Sequence, residues 1–148
     1  VQDFQNIRAW QRARALSLRV DSLARRFPRD YRSLRSQIRR AADGISAAIA
    51  EGCGAATQRE FARFLDIAIK SASETQSHII SARDRRLISD AAHSQLVDEV
   101  SQIRRMLYAL RKKVLGAAPD RPDRPDRPDL SDLSDRPDHG PETLNTEN

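Results

Sequence analysis

Apolar residues recur through the first 118 residues at intervals of three and four, the spacing that gathers them on one side of an α-helix. Ile7, Trp10, Val20, Leu23 and Phe27 mark a first segment from about Asn6 to Arg26, with Leu16 and Leu18 widening its stripe and Pro28 ending it. A second segment begins near Tyr31 with Asp30 as the expected N-cap. It carries Leu34, Ile38, Ala41, Ala42, Ile45, Ala48 and Ile49 along one face. Gly44 weakens its middle, and Gly52 and Gly54, on either side of Cys53, offer positive φ for a helix stop and a tight reversal.

Thr57-Gln58-Arg59-Glu60 reads as a capping box, in which the threonine oxygen accepts from the N3 amide and the glutamate reaches back. The third segment that it opens carries Phe61, Phe64, Leu65, Ala68, Ala72, Ile79 and Ala82. The fourth, from about Ser89 to Leu115, places Leu96, Val100, Ile103, Leu107, Leu110 and Val114 at alternating steps of four and three, a coiled-coil-like seam. Arg111, Lys112 and Lys113 complement the dipole of its last turn, and Gly116 is the expected C′ residue. Short connections between four amphipathic segments favour antiparallel neighbours, and no turn signal joins alternating runs. The pattern predicts an all-α protein: an antiparallel up-down four-helix bundle over residues 1–118.

The pattern stops after Ala118. Three Pro-Asp-Arg triplets, a further Pro-Asp, two Leu-Ser-Asp triplets and a polar end cannot bury a core, and residues 119–148 are expected to be disordered. Charge divides at the same point. The tail holds four arginines against nine acidic residues, and the body holds 22 basic against 12 acidic, a net of +10. A basic body implies either an anionic partner such as nucleic acid or solubility alone. An acidic arm that competes with nucleic acid for the body is one role open to the tail. A repeat under little constraint is the other reading.

A single cysteine excludes an internal disulfide, and no apolar run approaches the roughly 18 residues of a membrane span. The first residues lack the pattern of a secretory signal, so a cytoplasmic protein is expected. Chemistry finds little to work with. A carboxylate-bridged metal bundle needs Glu-x-x-His pairs, whereas Glu74 and His78 are four apart, and His93 and His139 give no zinc spacing with Cys53. A Cys53–His78 nucleophile pair is weaker than simple packing of a small thiol. Gly52-Cys53-Gly54 lacks the strand and lysine of a phosphate loop. No enzyme, metal or cofactor is therefore expected.

The arginines are the remaining asset. Arg8, Arg12, Arg19 and Arg26 share one side of the first segment, and Arg32, Arg35 and Arg39 share one side of the second. If those sides adjoin, they form a basic groove suited to RNA or DNA phosphates without sequence preference. No aromatic residue is spare for base stacking, since the few present serve the core. The competing reading is a protein-interaction or assembly scaffold whose charge is incidental.

Asp3-Phe4, Ala9-Trp10-Gln11, Phe27-Pro28, Leu34, Gln37-Ile38-Arg39-Arg40-Ala41-Ala42, Ile49-Ala50-Glu51-Gly52 and Glu60-Phe61 with Arg63-Phe64-Leu65 resemble, in that order, the four-helix proteins encoded by intervening sequences of large-subunit ribosomal RNA genes. The likeness covers residues 3–85 well and segment four in pattern only. It implies a homopentamer. Through distant relatives it also implies a basic accessory subunit of a reverse transcriptase, which contacts the polymerase and nucleic acid. Ile45-Ser46-Ala47-Ala48 departs from the family's proline and asparagine, and Lys70-Ser71-Ala72-Ser73-Glu74-Thr75 departs from its Gly-Ser pattern. Glu51, with Arg39 and Arg40 about three turns earlier, is expected to pair an arginine or to hold the turn amides, with a ligand-binding role as the alternative.

Overall fold

The computed structural model describes residues 3–117 of the 148-residue chain. The expected disordered tail at 119–148 lies outside the described residues, and the chain divides into two units at the same boundary. After a 3-10 turn at Phe4–Asn6 come α1 (Arg8–Ala24), α2 (Arg32–Cys53), α3 (Gln58–Asp84) and α4 (Asp90–Gly116). Among the described residues there is no strand. α1 and α3 each pack against both α2 and α4, and the diagonal pairs do not meet, as an up-down bundle requires.

The seam residues of all four helices meet in one core. Leu16, Val20, Ile45, Ile49, Leu65, Ile79, Leu96, Val100, Ile103 and Leu107 are fully buried. Thr75 is the one polar side chain among these, and its hydroxyl donates to Ser71 O at 2.7 Å, which removes the cost of an unpaired buried donor. Leu18, expected to widen the α1 stripe, instead stands 58% exposed. Two residues beyond Leu16, it is turned about 200° from it around the helix.

The starts of α3 and α4 show how local chemistry sets a boundary. Thr57 Oγ1 accepts from Glu60 N at 3.1 Å, and Glu60 Oε2 reaches back to accept from Ala56 N at 3.0 Å, one residue before the cap. Ser89 caps α4 by accepting from Ala92 N at 3.1 Å. Asp30 does not cap α2. A 3-10 turn at Arg29–Tyr31 feeds directly into the helix, and Tyr31 holds the N-cap position without a side-chain bond.

The helix ends correct the glycine reading. No glycine among the described residues has positive φ. Gly52 lies inside α2, where an added Cβ would sit 2.6 Å from Phe61 Cδ2 and 2.9 Å from Phe64 Cβ, so its role is close approach to α3. Gly44 serves α3 similarly, with Ser71 Oγ at 3.1 Å from such a Cβ. Gly116 is the last residue of α4 and Ala117 its C-cap. The one residue with positive φ among the described residues is Arg86, at 58°, where Leu87 N donates to Ala82 O at 2.9 Å and closes a Schellman turn after α3.

Gly52→Ala is expected to destabilise the fold by about 1–2 kcal/mol, the overpacking against Phe61 and Phe64 outweighing the helix propensity gained. Gly54→Ala, with only Glu51 O at 3.4 Å, is expected to change stability little. Urea unfolding of both variants checks the difference.

Candidate nucleic-acid interface

The first four turns of α2 turn Ile38, Ala41, Ala42 and Ile45 into the core, so the intervening residues project outward. Arg32, Arg35, Arg39 and Arg40 line an open depression of about 930 Å³ together with Ser33, Ser36, Gln37 and Asp43. Asp43 is its single acid, and it accepts a hydrogen bond from Ser17 on α1. Arg39 Nε lies 2.6 Å from Asp21 Oδ1, although that oxygen receives no aligned hydrogen bond, so the contact is one of charge. Asp21 also pairs with Arg25 at 2.9 Å, which leaves two guanidiniums sharing one carboxylate. Arg32, Arg35 and Arg40 form no ion pair among the described residues.

The other expected residues do not join them. Arg12 and Arg19 face α4, where Arg12 forks onto Glu99 with Nε–Oε1 at 2.9 Å and Nη2–Oε2 at 2.7 Å. Its Nη2 also donates to Gln102 Oε1 at 2.6 Å, and Arg19 donates to Gln95. Arg8, the first residue of α1, is exposed. The edge of α1 that meets α2 carries Ser17 and Asp21 instead, about 140° and 180° around the helix from Arg12. The expected groove between Arg8, Arg12 and Arg19 on one side and Arg32, Arg35 and Arg39 on the other is therefore not formed. Spacing along a helix shows which residues share a side, but not which neighbour that side meets.

Arg12 is held firmly in its charged form. The hydrogen-bonded Glu99 carboxylate raises its pKa above the ordinary guanidinium value, against a smaller opposing effect of burial. A guanidinium satisfied in this way ties α1 to α4 and is poorly placed to exchange partners with a phosphate. Arg111 plays a similar part between α4 and α3, with Nε 2.5 Å from Asp66 Oδ1.

Arg40 belongs to the depression although the expected set omitted it. Its spacing of eight from Arg32 already placed it near the same side. Glu51 is exposed and pairs with neither Arg39 nor Arg40, because twelve residues of helix separate side chains by about 18 Å. At the turn, it is the Glu51 backbone oxygen that accepts from Gly54 N at 3.1 Å.

Cys53 is buried at the end of α2, and burial pushes its thiol pKa up, with the Asp3 charge adding to the effect. His78 lies opposite Gln37, with which it lines another pocket, some sixteen residues of α2 away from Cys53 and so about 24 Å along the bundle. Its Nε2 is 3.5 Å from Glu74 Oε1 and has no hydrogen-bond partner. The two groups cannot act together. No cluster of three or more His, Cys, Asp or Glu able to hold a metal occurs among the described residues, and no described helix is long and apolar enough to cross a membrane.

Residues 5–109 match the family described as 23S rRNA-intervening sequence protein. The chain belongs to that family. The match takes in α1 to α3 and continues along α4 to Ala109, beyond the stretch that the sequence resemblance covered well. In fold, the chain is similar to a crystal structure from Bacteroides thetaiotaomicron of a protein from the S23 ribosomal protein family. The TM-score is 0.66 at 21% identity, covering 70% of this chain and 95% of that one. No curated protein matches.

Arg12→Ala is expected to cost about 1–3 kcal/mol of stability, because it leaves Glu99 without its charged partner in a half-buried site. Adding Glu99→Gln should recover part of that loss, and a double-mutant cycle measured by urea unfolding checks the coupling.

Proposed function

We propose that this family member is a non-enzymatic, cytoplasmic, homo-oligomeric accessory protein that binds nucleic acid without sequence preference through the arginine face of α2. The observation that carries this reading is the depression lined by Arg32, Arg35, Arg39 and Arg40, whose only acid is already engaged by Ser17. A guanidinium with no carboxylate partner retains its full capacity for forked hydrogen bonds to phosphate oxygens. Several such groups on successive turns of a rigid helix match a polyanion better than any small ligand. The net charge of +10 on the body adds long-range attraction that speeds encounter. The family's name, which refers to intervening sequences of 23S rRNA, makes RNA the first ligand to test.

A scaffold role is favoured by a different observation. Phe4, Trp10, Ala47 and Ala50 border a mostly apolar recess where α1 meets the outer side of α2, and the Phe4 and Trp10 rings meet edge to face at 5.1 Å. We assign this recess to contact with another copy of the chain, with a pentamer as the expected state. A protein partner such as a reverse transcriptase would bind the assembled form.

Titration of fluorescently labelled RNA and DNA at low salt tests the proposal, with light scattering in the same buffer. The wild type is expected to bind both, and Arg32→Gln combined with Arg35→Gln and Arg40→Gln is expected to weaken binding at least tenfold with the fold intact. An oligomer that binds neither ligand would replace the nucleic-acid reading with the scaffold reading.

A further inference from the structure

The C-terminal half of α4 carries a second arrangement of cations that the α2 face does not use. Residues 100–116 contain Arg104, Arg105, Arg111, Lys112 and Lys113 and no acidic residue. The two arginines on the side facing α3 are engaged: Arg111 with Asp66, and Arg104 with Ser73 Oγ at 3.2 Å. Arg105 and Lys112 are exposed and make no ion pair among the described residues. Between them stands Tyr108, 55% exposed. It is three residues after Arg105 and four before Lys112, so the three side chains are neighbours on one helix face.

Tyr108 was expected to have no such freedom, since the aromatic residues were assigned to the core. Here Leu107 and Met106 pack inward and leave the tyrosine outside. An aromatic ring between two uncommitted cations, on a helix half without an acid, combines the two elements of single-strand recognition: a stacking platform and flanking phosphate contacts. Resting on the nucleic-acid reading above, we propose that this α4 face is a second contact surface, selective for single-stranded over double-stranded nucleic acid, with an unpaired base stacked on Tyr108. Selectivity follows from access. In a duplex the base faces are covered by their neighbours, and a ring on a convex helix reaches only a base that is already unstacked. Because α2 and α4 are diagonal in the bundle and do not touch, the two surfaces act separately within one protomer.

The test is an anisotropy titration of a labelled 20-nucleotide oligouridine and of a labelled 20-base-pair RNA duplex. The full-length wild type is compared with Tyr108→Ala, Tyr108→Phe and the triple α2 arginine variant, with circular dichroism confirming equal folding. Tyr108→Ala is expected to weaken oligouridine binding by about fivefold or more, the lower end for loss of one stacked base. It should leave duplex affinity within twofold, and Tyr108→Phe should keep wild-type behaviour. Unchanged oligouridine binding by Tyr108→Ala overturns this inference. If the triple α2 variant still loses affinity, the α2 reading survives that result. Equal losses on both ligands would likewise overturn the claimed selectivity. Failure of the wild type to bind either ligand at low salt overturns both readings. Binding to anionic phospholipid vesicles that is lost in Tyr108→Ala, with oligouridine affinity unaltered, would assign the face to a lipid surface.

Discussion

The close approach of α2 and α3 governs the rest of the molecule. At Gly52 there is no room for a methyl group between α2 and the rings of Phe61 and Phe64, and Gly44 is almost as close to Ser71. Two tight contacts about two turns apart fix the rotation of α2 about its own axis as well as its position. Once that rotation is set, Ile38, Ala42, Ile45 and Ile49 enter the core, and Arg32, Arg35 and Arg40 have nowhere to go but outward. The basic face is thus a by-product of small residues elsewhere on the same helix. Rotating α2 by even one residue position, about 100°, would bury arginines that have no carboxylate to meet them.

The bundle uses its charges in two ways. Where helices must be held together, guanidiniums are matched: Arg12 with Glu99 between α1 and α4, Arg111 with Asp66 between α4 and α3, and Asp21 shared across α1 and α2 by Arg25 and Arg39. These pairs are only partly buried, so each adds modest stability, and their larger effect is to choose which helix edges adjoin. Elsewhere, Arg32, Arg35, Arg40, Arg105 and Lys112 form no ion pair among the described residues. The division between matched and unmatched cations separates the structural set from the set available to a polyanion, and it falls on different residues from those that helix spacing alone selected.

Four helices, their order and most of the core were legible because apolar spacing at three and four directly reports which face is buried. The Thr57 capping box was legible for a similarly local reason. Gly52 was not, because the sequence offers the same letter for a positive-φ stop and for a close helix contact, and only the position of Phe61 and Phe64 decides between them. Arg86 was missed because a non-glycine residue at φ 58° carries no compositional signal. The basic site was half legible. Arg32, Arg35 and Arg39 share one side as expected, whereas Arg12 and Arg19 turn to α4, and the choice of neighbour depends on long-range packing that no spacing rule contains. Tyr108 escaped notice because its exposure is settled by the register of Leu107 rather than by its own identity.

The central claim is that unmatched arginines on α2 bind phosphates, and it is tested most directly by the slope of log affinity against log salt for a single-stranded RNA. Each phosphate contact adds about 0.7 to the magnitude of that slope. Loss of Arg32, Arg35 and Arg40 together is therefore expected to reduce it by about 2. A slope that is the same in the wild type and the triple variant would contradict the account, because the binding charges would then lie elsewhere.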